Sequence, residues 1–142
     1  MPTIETSEHI DAPPEKVWRI LTDLGSYPEW NPFIREGSGE LRQGQELELK
    51  MRPPGGREMT FKPTVLECQG PRELRWLGRL LLPGLFDGEH WFRLTPENGG
   101  TRLDQGERFT GILPRFMGKT LAATEQGFTE LNLALKQRAE AE

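Results

Sequence analysis

The sequence predicts an α+β fold, an antiparallel meander of strands with one face covered by a long C-terminal helix. Three observations predict it. Apolar and polar residues alternate in successive runs between 46 and 110, the period of half-buried strands. Short Gly- and Pro-rich turns separate those runs, as antiparallel neighbours require. From Met117 an apolar stripe continues through Leu121, Thr124, Phe128, Leu131 and Leu135 at spacings of 4, 3, 4, 3 and 4, one face of a helix.

The elements follow in order. Thr3, Ile4, Thr6 and Ile10 mark a first strand, ended by Asp11-Ala12-Pro13-Pro14. Proline suits the first helical turn, where its missing N–H is not needed, and Glu15 complements the positive end of the dipole. Val17, Leu21 and Leu24 then give a short amphipathic helix, expected to stop at Gly25. Ser26 to Pro32 holds two prolines and predicts a single helical turn. Phe33 to Glu40 and Glu46 to Met51 read as strands, and Pro53-Pro54-Gly55-Gly56 as a loop. Glu58 to Cys68 reads as one strand with Met59, Phe61 and Val65 on one face and an edge or bulge at Pro63. Glu73 to Leu82 sets Leu74, Trp76, Gly78 and Leu80 on one face, and Pro83-Gly84 predicts a type II turn. Asp87 to Thr95 sets Gly88, His90, Phe92 and Leu94 together, with Trp91 on the outer face. Asn98-Gly99 is a hairpin signal. Thr101 to Thr110 sets Leu103, Gln105, Glu107 and Phe109 together, a parity that a bulge at Gly106 would reverse. Pro114 can open the final helix, whose polar face carries Lys119, Gln126, Lys136 and Glu140. Gly127, inside that helix, predicts close approach of a bulky strand side chain.

A length of 142 residues fits one domain, 1–142. Gly 16 and Pro 12 make about one residue in five, which would warn of disorder were they not placed at turns and helix starts. A net charge of −4, with the 18 Lys and Arg residues scattered, argues against a nucleic-acid partner. A single cysteine, Cys68, excludes an intramolecular disulfide and leads us to expect a cytoplasmic protein with a small buried thiol. No apolar run is long enough for a transmembrane segment, and the N-terminus lacks the pattern of a signal peptide.

Several strings carry a family resemblance. They are Ile10-Asp11-Ala12-Pro13-Pro14-Glu15-Lys16-Val17-Trp18, Tyr27-Pro28-Glu29-Trp30-Asn31-Pro32, Gly84-Leu85-Phe86-Asp87-Gly88-Glu89-His90-Trp91-Phe92, and Thr101-Arg102-Leu103 with Thr110-Gly111. With the element order, they make the chain resemble the SRPBCC superfamily over nearly its whole length. That superfamily includes START lipid-transfer domains, plant allergen-like proteins and the polyketide cyclase/dehydrase branch. The resemblance implies a helix-grip fold: a seven-stranded antiparallel sheet curved around the C-terminal helix, with two short helices after the first strand. It also implies a cavity between sheet and helix that takes an apolar small molecule.

Most catalytic signatures are missing. There is no G-x-S-x-G around a serine, and two distant histidines, His9 and His90, with one cysteine signal no zinc site. Gly37-Ser38-Gly39 and Gly55-Gly56 lack the rest of a phosphate loop. No cofactor and no metal is expected. The suggestive polar set is His90, Gln105 and Glu107, which would project into an apolar interior as a ligand anchor or as acid and base. The alternative is that these groups satisfy one another beside a filled core. Tyr27, Trp30, Phe33, Phe61, Trp76, Phe92, Phe109, Phe116 and Phe128, with Met117, Leu121 and Thr124 from the helix, are candidate cavity walls. Gly78, Gly88 and Gly127 would leave the space. Leu80 to Phe86 and Gly111 to Met117 are unusually apolar; they would form a gate opposite Tyr27 and Trp30, or else simply cap the core. Three functions remain open. One is binding or transport of a small hydrophobic ligand (lipid, quinone-like or polyketide-like). The second is a cyclase/dehydrase-type enzyme using His90 and Glu107, and the third a protein-interaction module using residues 80–86. An exposed apolar hairpin also leaves a homodimer open.

Overall fold

A computed structural model describes residues 3–80, 86–111 and 118–141. The Pro83-Gly84 turn, the Pro114 helix start and most of the two apolar segments lie outside the described residues. Strand β1 (Thr3–Ile10) leads into helix α1 (Pro14–Leu21), a 3-10 turn at Leu24–Ser26 and helix α2 (Tyr27–Trp30). Strands β2 (Ile34–Ser38), β3 (Glu48–Met51), β4 (Met59–Phe61), β5 (Thr64–Gln69), β6 (Glu73–Leu80), β7 (Phe86–Glu97) and β8 (Gly100–Thr110) follow, then helix α3 (Gly118–Ala141). No helix among the described residues is long and apolar enough to cross a membrane.

The helix-grip expectation holds in kind and differs in detail. Among the described residues there are eight strands, not seven, because Pro63 interrupts the run from 58 to 68 and leaves β4 and β5 on either side. The order β1-β8-β7-β6-β5 forms one antiparallel sheet and β2-β3-β4 another. Chain before β3 joins them: Val65 N–H donates to the Gln45 carbonyl at 2.8 Å, and Leu47 N–H donates to the Pro63 carbonyl at 2.8 Å. Proline lacks a donor but keeps its acceptor, so the ladder bends there instead of ending. Met59, expected on the buried face, is 41% exposed, because it sits at the open end of a three-residue edge strand beside an exposed loop.

Helix α1 ends at Leu21, ahead of the expected stop at Gly25. The Thr22 hydroxyl donates to the Trp18 carbonyl at 2.7 Å, and the chain then tightens into the 3-10 turn that buries Leu24. At the β7–β8 hairpin Asn98 and Gly99 both take positive φ (48° and 80°), the two-residue turn that matches strand twist. This turn locks the register, and the pairing runs unbroken past Gly106. Gly106 is not a bulge. A Cβ there would lie 2.4 Å from the Trp91 ring, which covers it on the outer sheet face. Parity is therefore as read: His90, Phe92, Leu94, Leu103, Gln105 and Phe109 are all buried.

Helix α3 packs its stripe on that inner face. Phe128, Leu131 and Leu135 are fully buried, and each contributes about 1.5–3 kcal/mol. Gly127 lets the Phe33 ring lie against the helix backbone, since a Cβ there would be 2.4 Å from it. The last turns of α3 are tied to the end of β1. Lys136 Nζ donates to the His9 carbonyl at 2.9 Å and to Glu140 at 2.7 Å, and Glu140 accepts the Asp11 N–H at 2.8 Å. The His9 ring stands between Glu97 and Asp11, each 2.9 Å from one nitrogen.

Two outcomes are expected. Gly127→Ala gains about 1 kcal/mol of helix propensity but forces the Phe33 ring to move, and overpacking costs about 1–3 kcal/mol. The urea midpoint should therefore fall; a midpoint at or above wild type would show that the ring shifts freely. The Glu97 and Asp11 hydrogen bonds raise the His9 pKa above its ordinary 6.5. A raised folded-state value means that His9 contributes its full stabilisation below 6.5 and loses it as pH rises through the folded value. The His9 side chain is 34% exposed, so solvent screening keeps the contribution small. The Tm difference between wild type and His9→Gln should be largest in mildly acidic buffer and vanish in alkaline buffer.

Candidate functional site

The register of β6, β7, β8 and β1 arranges the inner face in rows. Trp76, His90, Glu107 and Ile4 form one row; Leu74, Phe92, Gln105 and Thr6 form the next; Gly78, Gly88 and Phe109 form the row on the other side. The sheet thus places the expected His90, Gln105 and Glu107 beside one another, and a tryptophan next to the histidine.

His90 is 1% exposed and held among three rings. It stacks on Trp76 at 5.0 Å and 14°, and meets Phe92 and Phe128 at 4.8 Å each. Both of its nitrogens are paired. Nδ1 lies 2.7 Å from Glu107 Oε1, and Nε2 lies 3.0 Å from Gln105 Oε1. The chain of contacts continues into α3. Gln105 Nε2 donates to the Phe128 carbonyl at 3.2 Å and to Asn132 Oδ1 at 2.7 Å. Asn132 Nδ2 donates to Thr6 Oγ1 at 2.8 Å, and the Thr6 hydroxyl donates to the Gln105 carbonyl at 2.8 Å. A buried polar group without a partner costs about 1–3 kcal/mol, and this relay leaves none of its members orphaned.

A small pocket opens beside the pair. It is lined by Met51, Phe61, Pro63, Trp76, Gly78, Gly88 and Glu107, and it holds about 30 Å³, room for a water molecule or two. Its floor is the Gly78–Gly88 cross-strand pair. Of the three glycines expected to leave space, only Gly78 does among the described residues, where a Cβ would meet nothing nearer than the Gly88 carbonyl oxygen at 3.9 Å. Gly88 is where Glu107 rests, because its Cβ would lie 1.9 Å from Oε2. Gly127 is filled by Phe33. Glu107 therefore spans two environments, Oε1 on the buried histidine and Oε2 over Gly88 beside the pocket.

The remaining predicted residues are distributed as follows. Phe61, Trp76 and Glu107 meet at the pocket, while His90, Gln105, Phe92 and Phe128 form the layer behind it. Phe33 packs edge-on against Phe128 at 5.6 Å, and Phe109 is buried across from Gly88. Leu121 and Thr124 are half-buried on α3. Tyr27 is not at a mouth. It is wholly buried, and its hydroxyl donates to the Leu21 carbonyl, so it joins α1 to α2. Burial, and then the charge of Asp23, raise its pKa above the ordinary phenol value. Trp30 packs edge-on against Tyr27 at 5.2 Å. Neither lines this pocket. The backbones of Leu80 and Phe86 stand opposite each other at the ends of β6 and β7. Phe116 and Met117 lie outside the described residues. Cys68 is half-buried, less than expected, and burial still raises its thiol pKa.

Sequence reasoning did not name Met51, Pro63, Thr6 or Asn132 as part of a site. Asn132 had a detectable signal, a polar residue one turn after Phe128 on the buried side of the stripe. Thr6 had none, since its partner is 126 residues away. Chemically, the site offers an imidazole–carboxylate pair able to share a proton, at the edge of an apolar pocket.

Comparison with known proteins places this geometry in a family. The family described as polyketide cyclase / dehydrase and lipid transport matches residues 1–140. A START superfamily protein from Mycobacterium smegmatis has the same fold, with a TM-score of 0.78, 20% identity, and coverage of 98% of this chain and 97% of that one. The Zhui aromatase/cyclase from Streptomyces sp. R1128 gives a TM-score of 0.80 at 17% identity, covering 98% of this chain and 93% of that one. A protein from Thermus thermophilus gives 0.77 at 20% identity, covering 99% and 98%. These identities carry the fold alone. No curated protein matches the chain. The match over nearly all of its length, on a helix-grip sheet with a polar pair beside an apolar pocket, shows that the chain belongs to the polyketide cyclase / dehydrase and lipid transport family of the SRPBCC superfamily.

Proposed function

We propose that this protein binds a small, largely apolar molecule (lipid, quinone-like or polyketide-like) over Gly78 and Gly88, with a polar head on Glu107. The observation that carries the reading is the pocket itself: an apolar wall, a floor without side chains and a single carboxylate oxygen beside it. The family description, which joins lipid transport to polyketide cyclisation, supports the same class of ligand.

Size sets a condition. About 30 Å³ does not hold a ring, so a ring-sized ligand enters by displacing a wall. The wall suited to move is Phe61. It is half-buried on β4, which has three residues and pairs only with β3. Apolar burial at about 25 cal/mol per Å² then provides most of the binding free energy.

Gly78→Val tests the assignment. Among the described residues a Cβ at this position meets only the Gly88 carbonyl oxygen, at 3.9 Å, and a β-branched residue suits a strand, so the variant should fold about as stably as wild type. It should also block the pocket and abolish binding of 2-naphthol measured by calorimetry. Equal binding by this variant would place the site elsewhere. Phe61→Ala removes the movable wall and should tighten 2-naphthol binding about tenfold, ~1.4 kcal/mol; weaker binding would show that the ring contacts the ligand instead of blocking it.

The 2.7 Å contact between His90 and Glu107 supports a second reading, acid–base catalysis of the cyclase/dehydrase kind on a bound polyketide-like substrate. In that case Glu107→Gln lowers turnover of bound substrate by about 10²–10⁴-fold. Unchanged turnover would leave the pair a ligand anchor. The interaction-module reading rests on residues 80–86, of which 81–85 lie outside the described residues.

A further inference from the structure

The relay has a direction, and the direction determines what kind of head group the pocket accepts. Its far end is unambiguous. The Thr6 hydroxyl hydrogen goes to the Gln105 carbonyl, so Thr6 Oγ1 can only accept from Asn132. The Asn132 amide is thereby oriented, with its Nδ2 toward Thr6 and its Oδ1 toward Gln105. Gln105 Nε2 faces two acceptors, Asn132 Oδ1 and the Phe128 carbonyl, and gives one hydrogen to each. Gln105 Oε1 is therefore the atom facing His90 Nε2 at 3.0 Å. An amide oxygen only accepts, so His90 Nε2 carries a hydrogen in every state of the site.

This leaves His90 Nδ1, 2.7 Å from Glu107 Oε1. With Nε2 already protonated, a neutral ring presents a bare lone pair at Nδ1. A bare lone pair cannot stand that close to a bare carboxylate oxygen, so one proton lies between them. Two descriptions are allowed, imidazolium with carboxylate or imidazole with carboxylic acid, and the pair is electrically neutral in both. In both, the proton is on the Nδ1–Oε1 line. Glu107 Oε2, over Gly88 beside the pocket, carries no hydrogen in either state and only accepts.

We infer that the Thr6–Asn132–Gln105 relay holds the His90–Glu107 pair at one shared proton and so makes the pocket select ligands whose head donates a hydrogen bond. Hydroxyl, phenol and enol heads meet Glu107 Oε2 correctly. Ether and ketone heads set acceptor against acceptor. A carboxylate head does the same and brings a charge that no Lys or Arg on the pocket wall offsets among the described residues. Thr6 and Asn132 are positioning residues, since they act through Gln105 and His90. The inference rests on the ligand-binding reading above and adds the chemistry of the head group.

Wild-type protein suffices for the test. Calorimetric titration with 2-naphthol, 2-methoxynaphthalene and 2-naphthoate compares a donor, an acceptor-only and an anionic head on one ring system. The expected result is 2-naphthol tighter than 2-methoxynaphthalene by about tenfold or more, the value of a hydrogen bond to a charged partner, with 2-naphthoate weakest. Equal affinities, or 2-naphthoate tightest, overturn the selectivity and leave the ligand-binding reading standing. Binding of none of the three overturns the ligand-binding reading and the selectivity together. Nitrogen-15 NMR of His90 in the ligand-free protein decides the relay separately. A protonated Nε2 is expected, and a bare Nε2 overturns the inference whatever the titrations show.

Discussion

Burying an imidazole among Trp76, Phe92 and Phe128 is unfavourable unless both nitrogens find partners; both partners come from one strand, and one of them is held in turn by two other parts of the chain. β8 supplies Glu107 and Gln105, α3 supplies Asn132 and the Phe128 carbonyl, and β1 supplies Thr6. Satisfying the Gln105 amide and Asn132 therefore requires the sheet and the long helix to meet at one axial position. Apolar burial on the stripe drives the helix onto the sheet, and the relay specifies where it stops.

The same location explains why the interior is nearly full. The general logic of a helix-grip fold is a curved sheet around a helix, which leaves a gap to be occupied by ligand or by side chains. In this protein Phe33 reaches over Gly127 and fills the gap from one side, and the His90 ring stack fills it from another. What remains is the strip where two glycines pair across β6 and β7. Glu107 lies over one of them, so this space has a carboxylate oxygen at its edge.

Glycine has four distinct uses in this chain, and only contact geometry separates them. Gly99 takes the positive φ of a hairpin. Gly106 and Gly127 accept an aromatic ring from outside the sheet and from inside the core respectively. Gly88 accepts a carboxylate, and Gly78 accepts no side chain among the described residues. A sequence shows all of these as the same missing side chain.

What the sequence determined by itself was everything with a short period. Alternation along 87–95 and 101–110, with the Asn98-Gly99 turn to pin the register, placed His90, Gln105 and Glu107 on the inner face. The 4-3-4-3-4 stripe identified the face of α3 that buries Phe128, Leu131 and Leu135. Pro63 was legible as a defect, although whether it bends one strand or divides it depended on the chain that pairs alongside. Tertiary structure alone decided that Tyr27 is a core residue, that Thr6 and Asn132 complete the relay, and that Gly78 is the glycine left open. The physical reason is range: period and turn chemistry act over a few residues, whereas filled volume and satisfied hydrogen bonds are sums over groups that only folding brings together.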